Sequence, residues 1–407
     1  MSNKQETKKR ENWMKPRHKV VTALLRPIVS LLAKRYHIKI DRFAQQGERN
    51  WLILANHQTD FDQFFVGLAF RGPLYYVAME DLFSNGWVSR LIKYLVAPIP
   101  FKKASADLRA VMNCIRLAKE GGSIALFPEG NRTYSGHSCY INPSVASMAK
   151  KMGLPIAIFR IEGGYGIKPR WADTIRHGHM RAGVRRVIEP EEYQALSKEE
   201  LYELICKELW VDERTDAALY HGKALAEGLE RALYVCPDCG LSAFDTHGDI
   251  MTCRRCGKQY RYLPNKQFQA LSGESRFRYV ADWYDYQEDY IRQLDLSAYA
   301  DTVLYQDTVD LCEVIVYDRK RPVLRHVPLA LLTDRLELDN GKMILPYADI
   351  KAMACIADHK LNIFYQDTIY QVQGDVHFNA LKYCNIYYHA IYRKEEHSDG
   401  EFQFLGL

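Results

Sequence analysis

No apolar run in this chain of 407 residues is long enough to cross a bilayer, which takes about 20 predominantly apolar residues. The most apolar stretch, Val20 to Ala33 (VVTALLRPIVSLLA), is shorter, and Arg26 and Pro27 interrupt it. No small-residue cleavage site follows it and its charged leader is long, so a secretory signal is not expected and cytosolic synthesis is the default. A disulfide framework is missing as well. Six of the ten cysteines (Cys114, Cys139, Cys206, Cys312, Cys355, Cys384) are scattered singly, as small buried hydrophobes of a reducing compartment are. Internal repeats are absent, and so is any low-complexity segment beyond a basic tail.

Charge is scarce as a net quantity and concentrated in place. Residues 1–19 hold Lys4, Lys8, Lys9, Arg10, Lys15, Arg17 and Lys19 against Glu6 and Glu11, which accounts for the whole formal excess of +5. Such an arm can sit on anionic lipid, at about 1 kcal/mol per cation near the surface, or simply stay solvated. The apolar stretch after it fits either a helix lying in a membrane interface or one packed on the first domain. What remains is the composition of a folded protein, 47% apolar and 26% charged.

From about residue 50 to 190, short apolar runs alternate with helical ones, the pattern of an α/β domain. Residues 51–55 (WLILA), 123–127 (SIALF) and 155–160 (PIAIFR) are predicted strands. Residues 106–120 place Leu108, Val111, Met112 and Ile115 at helical spacing before Gly121 and Gly122 stop the helix. Strand, helix, strand in succession favours parallel pairing, with active loops at the carboxyl ends of the strands. Residues 191–233 lack a strand signal and are expected to be helical.

The first strand runs into Asn56-His57-Gln58-Thr59-Asp60-Phe61-Asp62. A histidine there with a carboxylate five positions on suits general base work, because the carboxylate fixes the imidazole tautomer while the other nitrogen takes a hydroxyl proton. The second strand ends in Phe127-Pro128-Glu129-Gly130-Asn131-Arg132-Thr133, where Pro128 and Gly130 bend the chain and Arg132 offers a fork for phosphate. Taken singly, each segment is equally an ordinary loop with local hydrogen bonds.

Together and in this order they resemble the glycerolipid acyltransferase family, typified by 1-acylglycerol-3-phosphate acyltransferases. That family carries Asn-His-x-Ser-x-x-Asp, a Gly-x-Ile-Pro-x-x-Arg-like stretch, Phe-Pro-Glu-Gly-Thr-Arg-Ser and a Pro-containing strand. Thr59 stands for the serine, Asn131 and Thr133 are mild changes, and Leu154-Pro155-Ile156 fits the last element. In the second stretch Ala97 replaces the glycine and Lys103 the arginine, which keeps the charge but loses the fork. The resemblance covers about residues 20–190.

It implies an O-acyltransferase that moves a fatty acyl group from an acyl thioester, acyl-CoA or acyl-carrier protein, to the hydroxyl of 1-acylglycerol 3-phosphate (lysophosphatidate), giving phosphatidate. His57 is then the general base and Asp62 its orienting partner. Arg132, Lys103 and the backbone around Gly130 are expected to hold the acceptor phosphate, with Glu129 bracing Arg132 or binding the glycerol hydroxyl. The implied setting is the cytoplasmic face of a membrane, with peripheral attachment, a carrier protein as a possible partner and no nucleic acid. Glycerol 3-phosphate, another lysophospholipid or a glycolipid stays open as acceptor. So does a catalytically inactive lipid-binding scaffold.

Cys236-Pro237-Asp238-Cys239-Gly240 and Cys253-Arg254-Arg255-Cys256-Gly257 form two Cys-x-x-Cys knuckles. Four thiolates so spaced predict a zinc ribbon with a closed structural site; the alternative is a pair of redox dithiols. Short alternating segments follow from about 303 to 373, with Asn340-Gly341 as a hairpin turn, and then an amphipathic helix over 378–393. This end resembles pleckstrin-homology-like barrels in its strands and single closing helix, and a docking or scaffolding role is expected. The expected organisation is a basic tail (1–19), an acyltransferase domain of mostly parallel sheet flanked by helices (20–233), a zinc ribbon (234–262) and a C-terminal α+β, barrel-like module (263–407).

Overall fold

The computed structural model describes residues 13–102 and 108–394. Lys103 and most of the basic tail lie outside the described residues.

The first unit is built on a seven-stranded sheet ordered β1-β7-β6-β2-β5-β3-β4. Its strands are β1 (Ile38–Ile40), β2 (Leu52–Ala55), β3 (Leu74–Met79), β4 (Ile99–Phe101), β5 (Ser123–Leu126), β6 (Ile156–Glu162) and β7 (Met180–Ile188). The three strands read from the sequence form the centre: β2 lies between β5 and β6, parallel to both. All four residues of β2 are buried, as a strand covered on both faces requires. Strictly parallel pairing stops there, because β7 runs antiparallel to β6 and carries β1 parallel to itself. A nine-residue strand that follows β6 after a loop can lie back along it without a crossover helix.

Helices α1 (Pro16–Arg35), α2 (Asp62–Ala69), α3 (Trp87–Val96), α4 (Leu108–Lys119), α5 (Ser144–Met152), the short α6 (Gly164–Ile167), α7 (Pro190–Gln194) and α8 (Lys198–Leu209) surround the sheet. Two apolar cores form, one beneath α4, α5 and α8 and one beneath α2. The inward face of α4 is Ala110, Cys114 and Leu117, while Leu108 and Met112 are exposed. Helix α8 ends at Leu209, so the expected helical run to residue 233 is not formed. Residues beyond it are irregular because their backbone bonds are made to distant partners. Ser138 N–H donates to Val211 O, Glu213 N–H to Gly136 O and Tyr220 N–H to Pro264 O.

The cysteine unit comprises a small hairpin, β8 (Val235–Cys236) with β9 (Gly240–Leu241), and a four-stranded antiparallel sheet of β10 (Phe244–His247), β11 (Ile250–Cys253), β12 (Gln259–Tyr262) and β13 (Phe268–Ala270). Helix α9 (Val280–Gln293) plugs it with Trp283, which meets Tyr260, Phe268 and Phe244 at ring separations of 4.8, 5.2 and 5.6 Å.

The C-terminal strands are β14 (Tyr305–Val314), β15 (Lys320–Leu331), β16 (Arg335–Leu338), β17 (Met343–Pro346), β18 (Ile350–Ile356), β19 (Lys360–Tyr365) and β20 (Thr368–Gly374). They form an antiparallel half-barrel ordered β17-β16-β15-β14-β20-β19-β18, followed by helix α10 (Ala380–Lys394). Asp339, Asn340 and Gly341 all take positive φ (51°, 56° and 83°) between β16 and β17, the conformation that an Asn-Gly turn favours. One apolar core runs from Trp171 and Leu225 through Tyr234, Val235 and Trp283 to Leu311, Val372 and Leu381. The boundaries read at residues 234 and 263 therefore cut through continuous packing.

Candidate active site

Because β2 and β5 are adjacent and parallel, the loops after them emerge side by side. The first is pinned by Asn56, buried, whose side-chain amide donates to Ile161 O (2.9 Å) and whose oxygen accepts from Ile161 N–H (2.7 Å) on β6. His57 Nδ1 lies 2.7 Å from Asp62 Oδ2. Asp62 opens α2, is fully buried, and accepts also from Gln58 N–H (2.6 Å), Thr59 N–H (2.9 Å) and the Thr59 hydroxyl (2.6 Å). A carboxylate held by that many donors is fixed in place and accepts from Nδ1 of His57, so Nε2 faces away from it as the acceptor. The imidazole stacks on Phe127 (centroids 4.4 Å apart), and its side chain is 20% exposed.

The second loop is tied to the first on both backbone groups of His57: Glu129 Oε1 accepts from His57 N–H (3.1 Å), and Thr133 N–H donates to His57 O (3.1 Å). Gly130 closes the turn at φ 71°, with its N–H on Phe127 O, a conformation in which a side chain is strained. The other oxygen of Glu129 accepts from Cys139 N–H (2.8 Å). Glu129 thus braces backbone, and the expected bracing of Arg132 is not formed.

Burial raises the Glu129 carboxyl to about 7 in spite of those two bonds. A carboxyl whose folded value lies above its unfolded one favours the protonated fold. The cost of ionising it is absent below about pH 4.5, accumulates as pH rises towards 7 and is constant above, at about 3 kcal/mol. Glu129→Gln removes that titration and leaves one backbone N–H short of an acceptor. Its melting temperature is expected to fall less steeply than the wild type's between pH 4.5 and 7. Parallel curves by calorimetry refute the assignment.

Arg132 lies behind this pair, its side chain 8% exposed. Its guanidinium is bracketed by two carboxylates, Nη1 2.5 Å from Asp60 Oδ1 and Nη2 2.7 Å from Asp358 Oδ1. Lys168 Nζ holds the other oxygen of Asp60 at 2.6 Å. Burial pushes the Asp60 carboxyl up, but the charges of Arg132 and Lys168 outweigh it and hold it below the ordinary value. Arg170, fully buried, stacks on Tyr134 and donates to Arg132 O (3.1 Å). Asp60, Lys168, Arg170 and Asp358 were not singled out in the sequence. Only Asp60 carried a local signal, as a second carboxylate inside the histidine motif.

His57, Phe127, Pro128 and Gly130 stand in the wall of an apolar groove of about 900 Å³. It runs past Phe64, Leu68 and Leu25 on one side and Val111 and Met148 on the other. Helix α1 flanks it with Leu24, Ile28, Leu31 and Leu32 exposed, and α3 exposes Trp87, Leu91 and Tyr94. A second cavity of about 640 Å³ adjoins it beneath α1, lined by Lys19, Arg26, Arg42 and Arg71. Among the described residues no helix is long and apolar enough to cross a membrane.

Far from the groove, the sulfurs of Cys236, Cys239, Cys253 and Cys256 lie within 4.8 Å of one another. Cys236 to Cys256 is 3.7 Å and Cys239 to Cys253 is 3.6 Å. Tetrahedral Zn–S bonds of about 2.3 Å place sulfurs about 3.8 Å apart, so this cluster could hold a metal ion with little adjustment. Beside it Arg254 pairs with Asp245 and Lys258 with Asp238.

Residues 35–161 match the Acyltransferase family model, which places this segment in the acyltransferase family that its motifs resemble. The chain is 23% identical over 141 residues to a chloroplastic 1-acyl-sn-glycerol-3-phosphate acyltransferase of Brassica napus, covering 34% of this chain and 40% of that one. It is 26% identical over 87 residues to a 1-acyl-sn-glycerol-3-phosphate acyltransferase of Bacillus subtilis (strain 168), 21% of this chain and 43% of that one. The match thus spans well under half the length of these curated relatives. The crystal structure of the 1-acyl-sn-glycerophosphate (LPA) acyltransferase PlsC from Thermotoga maritima aligns at 23% identity and a TM-score of 0.39, over 48% of this chain and 80% of that one.

Proposed function

We propose that the protein is an O-acyltransferase that moves a fatty acyl group from an acyl thioester to the free hydroxyl of lysophosphatidate, forming phosphatidate. The observation that carries this is the His57–Asp62 pair, 2.7 Å apart, at the wall of an apolar groove. A thioester is already activated, so the chemistry lacks only a nucleophile. Nε2 of His57 takes the hydroxyl proton as the oxygen attacks the thioester carbonyl; Asp62 stabilises the imidazolium. The new C–O bond forms, the C–S bond breaks, and the departing thiolate recovers the proton from His57. The groove takes the hydrocarbon chain, and Arg132 holds the acceptor phosphate so that the hydroxyl faces Nε2.

Purified protein given acyl-CoA or an acyl-carrier protein and lysophosphatidate is expected to form phosphatidate, scored by mass spectrometry. Transfer to glycerol 3-phosphate or a glycolipid instead would correct the acceptor, and no thioester consumption at all would leave the scaffold reading. Asp62→Asn keeps the shape but presents an amide to three donors. Turnover is expected to fall by about 10², less than removal of the base itself, with stability lowered by about 1–3 kcal/mol. Full activity in this variant would remove Asp62 from the mechanism.

The same proposal places the protein peripherally on the cytoplasmic face of a membrane. Support comes from the outward apolar faces of α1 and α3 around the groove and from the four cations, two on α1 and two across from it, that line the second cavity. Zinc is proposed for the four cysteines, as a structural ion with no part in the transfer. A pleckstrin-homology-like reading of residues 263–407 rests on seven antiparallel strands closed by one helix.

A further inference from the structure

The turn between β18 and β19, residues 357–359, belongs to the C-terminal half-barrel yet ends on the catalytic loops. Asn131 Nδ2 donates to Cys355 O (3.1 Å), Arg170 reaches Cys355 O (3.3 Å) and Ala357 O (3.4 Å), and Asp358 holds Nη2 of Arg132 at 2.7 Å. Ala357 takes φ 50° to present the turn. Arg132 is thus not an empty fork. Its Asp60 partner is shared with Lys168 and sits within the histidine motif, whereas Asp358 makes no other ion pair among the described residues.

We propose that Asp358 selects the acceptor: it occupies the face of Arg132 that a phosphate monoester needs, and only an acceptor able to displace it settles in the site. The inference rests on the acyltransferase reading. A carboxylate oxygen and a phosphate oxygen accept from the same guanidinium N–H, here Nη2 of Arg132, so they compete for one position. Charge decides the competition. Arg132 and Lys168 pair with Asp60 and Asp358, and Arg170 packs against the Arg132 and Ala357 carbonyls, so three cations surround two carboxylates. With Asp358 withdrawn the balance is two positive charges, which matches a phosphate monoester of about −1.5 to −2 near neutral pH. An uncharged acceptor such as monoacylglycerol has nothing with which to displace Asp358.

The test uses the full-length, metal-loaded protein and compares wild type with Asp358→Asn, which keeps the side-chain shape and removes the charge. The KM for lysophosphatidate is expected to fall about tenfold, with the KM for the thioester donor unchanged and the ratio of lysophosphatidate to monoacylglycerol turnover altered. Hydrogen exchange at residues 357–359 of the wild type is expected to rise when glycerol 3-phosphate is added. An unchanged or raised KM in a variant of unaltered melting temperature overturns the proposal. So does an equal slowing with both acceptors, the mark of a pair that only docks the half-barrel. Should the wild type acylate no phosphate-bearing acceptor, the substrate reading has failed on its own terms. Titration of both proteins with glycerol 3-phosphate still judges Asp358, since equal affinities refute competition. Asp358→Ala serves as the second variant if the amide disturbs folding.

Discussion

His57→Ala is expected to lower acyl transfer by about 10⁴, the upper end of what a positioned base supplies, while the protein stays folded. The fold survives because the buried neighbour does not depend on the imidazole. Asp62 keeps Gln58 N–H, Thr59 N–H and the Thr59 hydroxyl as donors, so no buried charge is stranded. What is lost is a partly exposed ring stacked on Phe127. The backbone at residue 57 stays clasped by Glu129 and Thr133, since both bonds are made by the main chain. Turnover and melting temperature should therefore separate cleanly. Added imidazole, fitting the space left at the groove wall, should restore part of the rate. Turnover within threefold of wild type would remove His57 from the chemistry, and a collapsed melting curve would show that the residue had been structural.

How far these features were legible follows from how local each one is. Strands β2, β5 and β6 were visible as short apolar runs between turn residues, and their parallel adjacency made the meeting of the two loops an inference from topology. Thr59 stands where the family has serine, and the hydroxyl that matters survives, donating to Asp62. Glu129 was found by its motif, but its two backbone partners were not, because a carboxylate's partners depend on backbone groups that only the fold brings near. Residues 210–233 were misread as helix: helix-forming composition lost to hydrogen bonds with segments more than 40 residues away. Asp358 left no trace at all. It lies 226 residues from Arg132, in a turn whose sequence is unremarkable. The C-terminal module was read as a docking or scaffolding domain, and its packing against the loops that follow β2 and β5 is a long-range property of the core it shares with the cysteine unit.

Stripping metal from the four cysteines is expected to unfold much more than the short segment that carries them. A structural zinc site contributes about 10–16 kcal/mol in small cysteine-rich peptides, comparable to the whole stability of an ordinary domain, about 5–15 kcal/mol. Here the site has no separate core. Cys236 and Cys253 are buried in the same cluster as Tyr234, Trp283, Leu311 and Leu381, and Trp283 Nε1 donates to Val235 O beside the first knuckle (2.7 Å). Without a cation, four thiol groups remain crowded within 4.8 Å at the edge of that cluster, Cys236 and Cys253 buried in it with no metal bonds to offset their desolvation. Loss of metal should therefore loosen β8 to β13, then α9 and the half-barrel, and with them the turn that carries Asp358. Purified under reducing conditions, the protein is expected to hold one zinc per chain by elemental analysis. A chelator or Cys253→Ser should lower the melting temperature by 10 °C or more, roughly what several kcal/mol amounts to, and expose the region after about residue 234 to protease. Iron in place of zinc, no metal at all, or a chelated protein with an unchanged melting curve would each refute the assignment.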